Sequence, residues 1–210
     1  MQAPGRIVIL NGAPRAGKSP IAAEIQARFP GLWMALGADA HIRAITPPRY
    51  RPGIGLRPGG ERPDLEPVLP VLYAALYDSI AAHARLGLNV VAELGHHDGY
   101  TRPLHILEDC ARRLAGLPVL FVGVRCPVEV IMDRRNAGQA GRENDYARGT
   151  STAPIPEPVR LWQEEVHKPG IYDIELDTSV LSPAACATRI AHALEAPPSP
   201  SAFERLARRR

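Results

Sequence analysis

Aromatic side chains are scarce in this chain: Phe, Trp and Tyr make up 5% of its 210 residues. It therefore lacks the interleaved basic and aromatic residues that grip single-stranded bases. The charge excess is also small, +3 at neutral pH, so no nucleic-acid partner is expected. Cysteine is limited to Cys110, Cys126 and Cys186, an odd number with wide spacing. That excludes a disulfide framework and a CxxC metal pattern. Long hydrophobic runs are missing too. Leu117–Val124, among the longest, falls far short of a bilayer span, so no membrane role is expected. The first strand-like run begins at Arg6, which leaves no room for a signal peptide in the sequence as given. These absences predict a cytoplasmic setting. No internal repeat is visible, and a hydrophobic content of 45% suits one globular domain with a substantial core.

Against these absences stands one motif. Residues 12–19 read Gly12-Ala13-Pro14-Arg15-Ala16-Gly17-Lys18-Ser19, the G-x-x-x-x-G-K-[ST] pattern of a P-loop. At average residue frequencies a chance match in such a chain has a probability of roughly one in a hundred. Context lowers it further. The strand-like run Arg6–Asn11 precedes the motif, and a helical pattern, Ile21–Phe29, follows it. Backbone N–H groups at a helix N-terminus, with an ammonium beside them, hold polyphosphate. Gly12 and Gly17 permit backbone conformations that a Cβ opposes. Lys18 is expected to reach the β- and γ-phosphates of ATP, and the Ser19 hydroxyl to ligate Mg²⁺. Pro20 is the awkward residue. It has no N–H and disfavours the α conformation at Ser19, so one fewer backbone donor to the nucleotide is expected.

Five short apolar runs read as strands: Ile7–Leu10, Trp33–Leu36, Asn89–Glu93, Val119–Val124 and Tyr172–Leu176. They alternate with helical patterns, which predicts an α/β fold with a parallel sheet covered on both faces. Helices are expected over Ile21–Phe29, Leu65–Leu86 with a break or kink at Pro70, Arg102–Leu114, a stretch beginning at Pro127, Glu157–His167, and a last one capped by Ser182 with Pro183 in its first turn. Two segments lack periodicity. One, about residues 46–64, is rich in Pro, Gly and Arg; the other, about residues 136–156, is polar. They are candidates for an acceptor loop and a lid. Residues 1–196 are expected to form the domain. Residues 197–210 are rich in Pro and Arg and are expected to be an exposed short helix or a disordered end, with solvated arginines.

Glu93 ends the third strand-like run, the Walker B position, where a carboxylate can hold Mg²⁺ near Ser19. Asp39 follows the second run and falls on the same rim. It is either a base for an attacking hydroxyl or the N-cap of a helix over His41–Ile45, or both. Arg134 and Arg135 end the helix after the fourth strand, and Arg142 lies in the polar segment beyond. At least one of these arginines is expected to touch phosphate, and the alternative is favourable placement of cations at a helix C-terminus. His96-His97-Asp98 reads better as a loop beside the acceptor pocket than as a metal cluster, because no other His or Cys stands at a ligand spacing. Tyr73 and Tyr77, four residues apart, read as core packing rather than substrate stacking.

Taken together, Ile9-Leu10-Asn11-Gly12, Ala16-Gly17-Lys18-Ser19, Trp33–Asp39, Val122-Gly123-Val124-Arg125-Cys126 and Tyr172–Thr178 resemble the chloramphenicol phosphotransferase family of small P-loop kinases, over nearly the whole chain. The resemblance implies a three-layer, nucleoside-kinase-like fold with a five-stranded parallel sheet and a lid. It implies ATP-dependent phosphorylation of a hydroxyl on a small molecule, in the namesake an antibiotic. Asp39 matches the proposed catalytic base, Arg134 a lid arginine, and Asp177-Thr178-Ser179 the loop that holds adenine through backbone contacts. The chain departs from the family at Glu93-Leu94, where Asp is usual, and at Ala140-Gly141-Arg142-Glu143, where Arg-Gly-Asp-Arg is usual. The expected activity is transfer of phosphate to a small hydroxylated acceptor, chloramphenicol or a related antibiotic among them. Its rivals are a kinase of an ordinary metabolite, such as a nucleoside or a shikimate-like acid, and a nucleotide-sensing module without turnover. An acidic acceptor would call on Arg49, Arg51, Arg57 and Arg62.

Overall fold

Strand β1 (Ile7–Asn11) is buried along its whole length, as a central strand of a parallel sheet must be. In the computed structural model, which describes residues 3–50, 57–60, 62–138 and 147–208, β1 pairs in parallel with β3 (Asn89–Leu94) on one side and β4 (Val119–Arg125) on the other. The edges are β2 (Trp33–Gly37) and β5 (Ile174–Asp177), giving a five-stranded parallel sheet of order β2-β3-β1-β4-β5. All five expected strands are present.

Alternation along β1 sorts the helices into two layers. Val8 and Leu10 face α1 (Lys18–Arg28), α5 (Val128–Asn136), α6 (Glu157–Glu165) and α7 (Pro183–Glu195), whose Ile25, Ile131, Val159 and Ile190 share one core cluster. Ile7 and Ile9 face the other way. They meet α3 (Leu69–Arg85), α4 (Ile106–Arg113) and α8 (Ala202–Ala207) in a second cluster, through Tyr77, Cys110 and Phe203 among others. The result is three layers: helices, sheet, helices.

Helix boundaries follow local chemistry. Pro183 occupies the first turn of α7, and the Ser182 hydroxyl accepts from Ala185 N at 3.2 Å, as the sequence predicts. Pro70 marks the expected break: it stands in the first turn of α3, after a 3-10 turn over Glu66–Val68. A proline in a first turn forfeits no intrahelical bond. Helix α2 (Ala38–Ile45) begins before Asp39, which therefore lies within the first turn and is not the cap. Helix α4 starts at Ile106 rather than near Arg102. The preceding backbone is held instead by Asp98, whose Oδ1 accepts from Leu104 N and His105 N. Among the described residues, no helix is long and apolar enough to cross a membrane.

The C-terminal segment forms a short helix, one of the two expected forms, but it is packed rather than exposed. Residues 202–207 form α8, and Ala202, Phe203 and Leu206 are buried. Ser201 and Glu204 form a capping box at its start. Asp173 ties the segment down: Oδ1 accepts from Ala202 N at 2.6 Å and Oδ2 from Phe121 N at 2.8 Å. Phe203 packs edge-on against Phe121, ring centres 5.1 Å apart. Counting prolines and arginines hid the apolar stripe between them. We predict that Phe203→Ala lowers unfolding stability by about 3 kcal/mol, the cost of emptying a buried aromatic site. Urea denaturation measures this; an exposed tail would show no loss.

Candidate active site

The P-loop runs from the end of β1 to the start of α1, across the rim where the strands finish. Both outer glycines are required. A Cβ on Gly12 would stand 2.4 Å from the Val124 carbonyl oxygen. Gly17 has φ +98°, and a Cβ there would press against the Thr178 side chain at 3.3 Å. Pro20 lies in the first turn of α1, where its missing N–H breaks no helical bond.

The carbonyls of the loop are satisfied by side chains. Lys18 Nζ donates to Gly12 O at 2.7 Å and Ala13 O at 3.0 Å. Arg135 Nη2 donates to Pro14 O at 3.4 Å, and Arg134 Nη1 to Arg15 O at 3.2 Å. The Thr178 hydroxyl donates to Ala16 O at 2.6 Å. Successive carbonyls from Gly12 to Ala16 each accept a hydrogen bond from a cation or a hydroxyl. In a trans peptide the carbonyl and the following N–H point in opposite directions. Holding these oxygens thus fixes the direction of the N–H groups that follow them, and successive backbone N–H groups in a turn can bind anions.

Two carboxylates approach the loop from the neighbouring strands. Ser19 Oγ donates to Glu93 Oε2 at 2.6 Å. Glu93 stands beside Leu10 of β1 and Gly37 of β2, which puts it at the C-terminal rim. Asp39 is two residues beyond Gly37, and its charge acts on Lys18. Burial pulls the Lys18 ammonium below its usual pKa; Glu93 and Asp39 oppose this, and Arg135 adds to it. The expected residues Lys18, Ser19, Glu93, Asp39 and Arg135 are thus brought together. Paired hydroxyl and carboxylate oxygens at Ser19–Glu93 suit a hard cation such as Mg²⁺.

Arg134 is one of the three arginines of which at least one was expected at the phosphate. Its guanidinium donates to Arg15 O, to Thr178 Oγ1 at 3.1 Å and to Thr178 O at 2.8 Å. In return, Arg15 Nη2 donates to Arg134 O. Thr178 was expected to offer only backbone to a nucleotide; its side chain binds the P-loop. Arg142, with Ala140, Gly141 and Glu143, lies outside the described residues.

Sequence reasoning passed over a polar network beneath the rim. Asn11, 1% exposed, donates from Nδ2 to Val166 O at 2.8 Å and to the Tyr172 hydroxyl at 2.9 Å, while its Oδ1 accepts from His96 N at 2.8 Å. The Tyr172 hydroxyl also meets His167 Nδ1 at 2.8 Å. Burial lowers the His167 pKa to about 4, helped by Arg125 and Lys18. Burial lowers that of His96, which meets the Tyr77 hydroxyl through Nε2 at 2.7 Å, to about 3, helped by His97. The one available signal was Asn11 itself, an amide closing an otherwise apolar strand. Tyr77 is core, as expected, although its hydroxyl serves this network.

His96 and His97 do not converge on one point. His97 packs against Tyr100 and Trp162, ring centres 4.2 and 4.7 Å away. His105 does approach Asp98 and Glu108, their ligand atoms all within 4.8 Å of one another. Spacing alone had not suggested that surface group. Loop 99–101 is anchored by buried Glu66, which accepts from Thr101 N at 3.1 Å.

Comparison with known proteins accords with this geometry. The model of the chloramphenicol phosphotransferase-like family matches residues 5–195. The chain belongs to that family. A protein of Mycobacterium tuberculosis, found in two strains and provisionally named an O-phosphotransferase, is 28% identical over 218 residues, covering 98% of this chain and 89% of its own. Among solved structures, the APS kinase of Mycobacterium tuberculosis in complex with AMPPNP and APS superposes with a TM-score of 0.58 at 14% identity, covering 92% of this chain and 99% of that one. The shikimate kinase of Acinetobacter baumannii superposes at 0.57 with 13% identity, covering 91% and 93%. The tunicamycin resistance protein of Deinococcus radiodurans superposes at 0.57 with 16% identity, covering 92% and 99%. At such identities the superpositions show the fold, that of P-loop kinases. Family and fold together indicate a P-loop phosphotransferase.

The buried histidines make stability depend on pH. Each is neutral in the folded protein, with its pKa below the ordinary 6.5. Their contribution is complete above pH 6.5 and is lost as pH falls toward 4. We predict that unfolding free energy drops across this window by about 1.4 kcal/mol per pH unit for each histidine. Urea melts at pH 7 and 4.5 measure it, and His167→Gln should flatten the slope.

Proposed function

We propose that this protein transfers the γ-phosphoryl group of ATP to a hydroxyl of a small molecule. The observation that supports the reading most is the meeting of Lys18, Glu93 and Asp39 at one rim, with Ser19 bonded to Glu93. Gly12–Ser19 would cradle the phosphates. Ser19 and Glu93 would hold Mg²⁺, which supplies charge neutralisation on the phosphate oxygens. Lys18 and Arg135 add positive charge from the protein side. Asp39, at the mouth of the same rim, orients the acceptor hydroxyl and takes its proton. Binding both partners on one rigid rim supplies the alignment that in-line transfer requires.

The acceptor we favour is uncharged, with chloramphenicol and related antibiotics as leading cases. Arg62, one of the arginines an anionic acceptor would need, is engaged by Asp64 through bonds of 2.8 and 2.7 Å. Arg49 lies over the Tyr50 ring. Arg51 is outside the described residues. The family name supports an antibiotic substrate.

The test is a panel of hydroxylated antibiotics and metabolites incubated with γ-labelled ATP and scored for labelled product. One acceptor should be labelled and should raise ATP turnover; a pure nucleotide sensor would label none. With that acceptor, Asp39→Asn should cut kcat by about 10²- to 10⁴-fold and leave the Kd for ATP unchanged. Lys18→Ala should abolish both tight ATP binding and transfer. Normal turnover by Asp39→Asn would overturn the base assignment.

A further inference from the structure

We infer that Arg134 and Thr178 act as a strut on the outer side of the P-loop, and that neither contacts the transferred phosphate. The inference rests on the reading of Gly12–Ser19 as a phosphate cradle. Three observations carry it. Arg134 spends hydrogen bonds on Arg15 O, Thr178 Oγ1 and Thr178 O. The Thr178 hydroxyl, oriented by that guanidinium, donates to Ala16 O at 2.6 Å. Gly17 has φ +98°, and a Cβ there would stand 3.3 Å from the Thr178 side chain.

The consequence concerns two peptide planes. Fixing Arg15 O and Ala16 O by these bonds fixes the direction of the Ala16 and Gly17 N–H groups. Ala16 N is used inside the loop, donating to Ala13 O at 3.1 Å. The Gly17 N–H, at the N-terminus of α1, is left for the anion. Without the strut, this peptide can rotate and the cradle loses its preorganisation. Arg15 completes the bracket, because its own side chain reaches back to Arg134 O and to Gly138 O at 3.3 Å. The end of α5, the P-loop and the turn after β5 are thereby locked to one another. Arg134 and Thr178 are positioning residues.

A strut and a phosphate contact predict different binding patterns. A residue touching the γ-phosphate matters for ATP and not for ADP. A strut supports the loop under either nucleotide. We expect Arg134→Met and Thr178→Val each to weaken Mg·ADP and Mg·ATP by the same factor, about tenfold, in titration calorimetry. The double variant should be little worse than the weaker single one, because both act through one path. Thr178→Ser, which keeps the hydroxyl, should restore binding. Thermal melts of the variants should stay close to that of the wild type.

Hydrogen exchange in the nucleotide-free protein reads the strut independently. Loop amides at residues 15–17 should exchange faster in both variants. If wild-type protein bound neither nucleotide, the reading of the site would fall, while faster loop exchange would still support the strut. A selective loss of ATP over ADP in Arg134→Met would overturn the inference. So would additive effects in the double variant, or unchanged binding together with unchanged loop exchange.

Discussion

The site depends on where five carbonyl oxygens point. A loop that binds anions must present N–H groups, and each peptide offers an oxygen along with each N–H. Lys18, Arg134, Arg135 and Thr178 take those oxygens from Gly12 to Ala16. Three of these donors come from parts of the chain more than a hundred residues away. The cradle is therefore a tertiary object. Strand β1 and helix α1 deliver its two ends, while α5 and the turn after β5 set its orientation. An unsupported glycine-rich loop of the same sequence would keep its freedom and lose part of its affinity to the entropy of ordering.

This explains what was readable in the sequence and what was not. The P-loop, the five strands, the Ser182–Pro183 helix start and the Glu93–Ser19 pairing are local patterns, or follow from register in a parallel sheet. Periodicity and motif spacing report such features directly. Arg134 and Arg135 could not be told apart because adjacent helical residues differ only in facing, which tertiary packing decides. Thr178 gave no side-chain signal because its partner, Ala16 O, lies 162 residues away. Asn11 was overlooked for a related reason. A buried amide that joins β1 to His96, Val166 and Tyr172 resembles a strand terminus until those segments are seen around it.

Beneath the rim, burial sets protonation. The Lys18 ammonium is desolvated but has Asp39 and Glu93 within electrostatic range. His96 and His167 are held neutral and serve as hydrogen-bonding spacers. Burial pushes the Tyr172 hydroxyl up to about 12, so it keeps its proton for the bridge between Asn11 and His167. Charged groups meet at the loop itself, and neutral polar groups support it from below.

The docking of α8 bears on how the chain comes together. Phe121, on β4 beside the central strand, is covered on one face by Phe203. Asp173 joins the backbone of that strand to the start of α8. Strand β4 precedes its cover by about eighty residues of chain. A chain emerging N-terminus first exposes an apolar stripe of the second core layer until residues 202–206 have been made. The P-loop and strands β1 to β4 precede α8 in the chain, so the sheet that carries them is sealed after they are made. During that interval, the nascent protein has its P-loop in sequence and lacks the closed layer that keeps its sheet from other chains.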